Sequence, residues 1–219
     1  MRNVPDPSQA GVKGLLESGI THVPSMFHTG KLDLGENSSS GSDLCFPTID
    51  LNDIHTDPTR RLEVIGQIQR ACNEWGFFQV INHEIPIYVL DEMIEEIRSF
   101  HEQEASERRV YYNRDFKKNV RYYSNATLFS GQPANWRDTI AYSAAPVPFK
   151  PEDLPPICRD IMIQYSQKVN DMGLKIFELL SEALGLDEMI EGIHSFHEQE
   201  AYERRDSFLV LLLTIQKQE

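Results

Sequence analysis

Few residues of this 219-residue chain have the types and spacing for chemistry, and they are scattered. His55-Thr56-Asp57 sets an imidazole and a carboxylate two residues apart, donor types that hold transition metals. Glu191 and His194 have the Glu-x-x-His spacing of di-iron bundles, which places both on one helix face. Arg205-Asp206-Ser207, preceded by His194 and His197, offers a guanidinium fork suited to a carboxylate. Each has a plainer role. Asp57 or Thr56 precedes Pro58, where a helix start needs a capping side chain. A di-iron site needs a second Glu-x-x-His, and no other histidine has a glutamate three residues earlier. Glu191 and its acidic neighbours read as a solvated helix face. His83 reads as a structural hydrogen-bonding histidine beside a strand, and His101 as the solvent edge of an apolar stripe. The chain holds no Gly-x-Ser-x-Gly elbow and no glycine-rich phosphate loop, and no cysteine in a catalytic context. We assign no catalytic, cofactor-binding or metal residue on this basis.

Around these residues the chain has the composition of a globular protein, 40% hydrophobic and 25% charged. A net charge of -13 repels nucleic-acid phosphates and anionic membrane faces. The first residues, MRNVPDPSQAGVKG, contain no signal-peptide-like apolar run, and the longest such run, Phe208 to Leu213, is too short to span a membrane. Cys45, Cys72 and Cys158 are odd in number and far apart, as in reduced intracellular thiols. The expectation is a cytoplasmic protein with no nucleic-acid or membrane partner.

The elements that must position any site alternate between the two periodicities. Residues 8–18 read as a helix capped by Ser8 and ended by Gly19, and GENSSSGSD (35–43) as a tether. FPTIDL (46–51) reads as a strand. A helix follows from Pro58 to Trp75 with Leu62, Ile65, Ile68 or Gln69, and Cys72 at helical spacing. FFQVI (77–81) reads as a buried strand. A helix opened by Pro86 carries the stripe Leu90, Met93, Ile94, Ile97 and Phe100. Val120 to Ser124 and Trp136 to Ser143 read as strands. A long helix spans about 157–183 and ends at Gly185, with the stripe Ile161, Tyr165, Val169, Met172, Ile176, Leu179 and Leu180.

One stretch occurs twice. LDEMIEGIHSFHEQEAYERR (186–205) repeats LDEMIEEIRSFHEQEASERR (90–109) at 17 of 20 positions. The differences, Glu96 to Gly192, Arg98 to His194 and Ser106 to Tyr202, all fall off the apolar stripe. Nothing like the unit fills the 76 residues between, so this is no solenoid. His194 and Arg205 therefore sit in a copy of a helix whose original has Arg98 and Arg109 at those places, followed by Val110-Tyr111.

WGFFQVINHEIP (75–86) resembles the WGFFQVxNHG(I/V)P signature in the N-terminal region of plant Fe(II)/2-oxoglutarate-dependent dioxygenases. GVKGLLESGITHVPSMF, FPTIDL, FHEQEASERRVYYNRDFKKNVRYYSN, ANWRDTIAYSAAP and CRDIMIQYSQKVNDMGLKIFELLSEALGL extend the likeness over about 11–186. Together they are similar to the 1-aminocyclopropane-1-carboxylate oxidase homologue subfamily. One departure is plain: where the family has glycine, this chain has Glu84, which we expect to be a tolerated surface turn residue.

The resemblance implies a jelly-roll holding Fe(II) through His-x-Asp and a distant His, with Arg-x-Ser binding the far carboxylate of 2-oxoglutarate. Those motifs follow a His-Tyr-Tyr-Pro-like strand in the family, whereas Leu186 runs into the copied stretch. The expected fold class is α+β, a helix-rich N-terminal dioxygenase region with few strands and an incomplete or absent jelly-roll core. Expected domains are an N-terminal helix and arm (1–45), a non-haem dioxygenase N-terminal domain (46–185), and a duplicated helix with an apolar tail (186–219). Such a chain would be truncated before its catalytic half and would carry no Fe(II) or 2-oxoglutarate. It would be marginally stable and would self-associate or bind an intact paralogue. The alternatives are a non-catalytic interaction module and a fragment of a longer hydroxylase of a small metabolite.

Overall fold

The computed structural model describes residues 11–28, 45–115, 117–124, 136–144 and 149–186. These divide between two compact units, one within residues 1–40 and 94–160, the other within 41–93 and 161–219. The fold class is α+β: the described residues form five α-helices and two two-stranded sheets.

The second unit is built on a strand–helix–strand motif. β1 (Thr48–Asp50) and β2 (Gln79–Ile81) pair in parallel, Ile49 opposite Val80, with α2 (Pro58–Glu74) between them in sequence. Asp57 starts α2, its carboxylate accepting the Thr59 amide at 2.8 Å and the Arg60 amide at 3.3 Å. Pro58 has no N–H to leave unpaired in that first turn. Gly76, at φ +74, closes the helix in the left-handed conformation that a side chain would disfavour. Strand alternation turns Ile49 and Leu51, with Phe78 and Val80, toward a cluster of Ile54, Val64, Ile68, Ala71 and Leu179. Leu179 comes from α5 (Arg159–Ala183), whose end is tied to α2 by Gln69 donating to the Ala183 carbonyl at 3.2 Å.

Helical spacing alone placed only part of the α2 stripe on the core: Ile68 is buried and Ile65 packs against the cluster. The buried residues of α2 are Val64, Ile68 and Ala71, while Leu62 is 70% exposed and Cys72 is exposed. The buried track runs one residue round from the expected one, so Leu62 and Cys72 fall outside it while Ile65 sits at its edge. In the same way α3 (Ile87–Glu102) buries Val89, Leu90 and Phe100 but leaves Ile94 half exposed. FFQVI is not a fully buried strand either: the regular strand is Gln79–Ile81, and Phe77 is 50% exposed.

The first unit centres on an antiparallel hairpin, β3 (Val120–Ser124) with β4 (Asp138–Tyr142), in the register Val120 to Tyr142 through Ser124 to Asp138. Phe100, Tyr111 and Tyr122 meet edge-on, with ring centroids 5.8 and 5.7 Å from that of Phe100. Buried Leu154 and Cys158 belong to the same unit. α4 (Ala105–Arg109) supplies the buried Arg108. α1 is described over Gly11–Glu17, and its expected cap, Ser8, lies outside the described residues. Asp138 answers its first described amides, accepting that of Val12 at 2.8 Å and that of Lys13 at 3.2 Å.

Candidate functional site

The His55-x-Asp57 pair lies at the start of α2. One carboxylate oxygen of Asp57 accepts the α2 amides, Thr56 donates its hydroxyl to the Asp53 carbonyl at 3.4 Å, and His55 is exposed. Among the described residues no group of three His, Cys, Asp or Glu side chains could hold a metal ion. Glu191, His194, His197, Arg205 and Ser207, like the copied stretch beyond Leu186 and the apolar tail, lie outside the described residues.

His83 does structural work, its Nδ1 accepting the Ile85 amide at 3.2 Å. The turn it occupies is tight: Asn82 has φ +55 and Glu84 φ +62. The glycine position of the family signature thus demands a left-handed residue, at a cost to glutamate on the order of 1 kcal/mol. Glu84 is exposed and ion-pairs with Lys175, a hydrogen bond that holds its carboxyl below the usual range. His101 lies half-buried at the end of the apolar stripe, with its ring 5.4 Å from Phe100 and 5.9 Å from Tyr122, and burial lowers its pKa.

The densest polar cluster among the described residues was not foreseen from sequence. Arg108 is 1% exposed. Its Nε donates to the Gln103 carbonyl at 3.1 Å and its Nη1 to the Tyr122 hydroxyl at 2.9 Å, while Nη1 lies 3.9 Å from Asp138 Oδ2. Asp138 also accepts from the Ser124 hydroxyl beside it in the hairpin. Burial, reinforced by the Asp138 charge, pushes the Tyr122 phenol up to about 12, so it stays a donor or acceptor and never a base near neutrality. Gly11 has φ +69, and a Cβ there would lie 2.5 Å from Asp138 Oδ2, so the close approach needs glycine twice over. Both carboxylate oxygens of Asp138 have partners, so the cluster acts as a lock between α1, α4 and the hairpin, while the buried Nη2 of Arg108 has no hydrogen-bond partner among the described residues. The only sequence signal for it is that the copied stretch keeps the arginine, as Arg204.

Comparisons with known proteins agree with this architecture. The model of the non-haem dioxygenase in morphine synthesis N-terminal family matches residues 46–159, more than half of the chain. 1-Aminocyclopropane-1-carboxylate oxidase homolog 1 of Arabidopsis thaliana is 48% identical over 183 residues, covering 83% of this chain and 50% of its own length. Homolog 3 of the same plant is 46% identical over 187 residues, covering 83% and 51%. A crystal structure of JOX2 in complex with 2OG, Fe and JA shares the fold with a TM-score of 0.61 at 23% identity, covering 86% of this chain and 52% of that one. The chain belongs to the plant Fe(II)/2-oxoglutarate-dependent dioxygenase family, to its 1-aminocyclopropane-1-carboxylate oxidase homologue subfamily. It spans about half the length of the curated relatives it matches. No helix among the described residues is long and apolar enough to cross a membrane.

Proposed function

We propose that this chain is a catalytically incomplete dioxygenase N-terminal region that binds neither Fe(II) nor 2-oxoglutarate by itself and works in the cytoplasm. One observation carries this: after Leu186 the sequence repeats residues 90–109 where the family places its strand and metal motif. The role of Asp57 as the N-cap of α2 supports it by giving the His-x-Asp pair a structural job. Titrating the chain anaerobically with Fe(II) and 2-oxoglutarate should leave its melting temperature unchanged. A saturable rise of several degrees would overturn the proposal.

A second reading rests on the half-length match. The gene product would be longer, an active hydroxylase of a small organic molecule, with the described residues as its N-terminal region. Sequencing the 3′ end of the transcript separates the two, since only the second requires a metal motif downstream. A role as an interaction module for a second copy or an intact paralogue would show as a defined oligomer in light scattering.

A further inference from the structure

Beside the sheet of the second unit, three aromatic rings group at the surface. Phe46 and Phe77 lie side by side just before the parallel register of β1 and β2, at ring-centroid distance 5.6 Å. Trp75, at the end of α2, completes a triangle, 5.8 Å from Phe46 and 5.9 Å from Phe77. Phe46 is 49% and Phe77 50% exposed, whereas the neighbouring Ile49 and Leu51 are buried in the aliphatic cluster and Phe78 and Val80 pack against it. Large aromatic rings grouped on a surface in this way mark a contact awaiting its partner.

The same unit shows where a partner comes from. α5 ends against α2 through the Gln69–Ala183 hydrogen bond, and the chain leaves the described residues at Leu186 with Leu184 and Leu186 both exposed. From Gln69 to Trp75 is about 9 Å along a helix. Beyond Leu186 lie 33 further residues, and among them Phe208 to Leu213 is six apolar residues in a row. The 21 residues between Leu186 and Phe208 reach up to roughly 70 Å when extended, so the linker permits the contact and keeps the local concentration high. The copied stretch is a weaker candidate, because its charges leave it one apolar side only, whereas the tail has no polar residue to turn toward water.

We propose that Phe208 to Leu213 seats on the Phe46–Trp75–Phe77 triangle of its own chain. The proposal is independent of whether the chain binds Fe(II). Tryptophan emission tests it in the 219-residue chain carrying Trp136→Phe, which leaves Trp75 as the reporter. Deleting residues 206–219 should move the emission to longer wavelength and increase acrylamide quenching about twofold. Leu211→Asp should do the same in a chain of full length, guarding against a deletion that fails to fold. Adding the synthetic peptide 206–219 to the deleted chain should restore the original spectrum. Unchanged emission and quenching in both variants would overturn the proposal. So would a burial of Trp75 that disappears on dilution, which would identify a second molecule as the cover.

Discussion

In the unit of β1, α2, β2 and the body of α5, aliphatic side chains fill the interior and the charges stay at the rim. Arg61 donates to Glu178 at 2.6 Å and to Glu182, all three partly solvated. In the unit of α1, α4 and the β3–β4 hairpin the arrangement is inverted, with Arg108 and Asp138 inside and aromatic rings around them. An aliphatic cluster loses stability in proportion to what is removed from it. A buried ion pair fails abruptly, since removing one partner strands the other charge in a medium that cannot solvate it.

The difference sets the order of expected effects. Asp138→Ala should be the most damaging, costing about 3–5 kcal/mol in urea unfolding, because it strands Arg108 and uncaps α1 together. Ile68→Ala, in the centre of the aliphatic cluster, should cost about 2–4 kcal/mol. If Ile68→Ala proved the costlier, the buried charges would contribute less than their geometry implies. Smaller again is the acid response of His101. Burial lowers its pKa below 6.5, opposed by Asp138 and assisted by Arg108 and Lys13, so the fold holds it neutral. Its contribution is complete above pH about 6.5 and is lost as pH falls toward the folded value, since the unfolded chain takes the proton first. His101→Gln should flatten that decline in a pH series of unfolding midpoints. Arg61→Gln should matter least, under about 1 kcal/mol and less still at high salt.

Legibility from sequence divides along the same line. The strand–helix–strand unit could be read almost directly, because Thr56-Asp57-Pro58 is a local capping signal and Gly76 a local stop. The choice of helix face could not, since Leu62 and Val64 are equally apolar and only the sheet's position decides between them. Glu84 was legible as a departure from the signature, and its φ of +62 gives the reason the family has glycine there. The Arg108–Asp138 lock was hidden because its members are polar, 30 positions apart, and indistinguishable in sequence from ordinary surface charges. The ring that packs on His101 was hidden for a related cause: Tyr122 belongs to a strand 21 residues further on.

The cap on α1 carries a consequence for the order of events during synthesis. Asp138 lies 126 residues after the Val12 amide it accepts. At roughly 5–20 residues per second, α1 spends on the order of 6–25 seconds outside the ribosome with its first amides unanswered. A seven-residue helix is too short to persist alone in water. The helix is therefore among the last elements of its unit to settle, waiting on a hairpin made more than a hundred residues later.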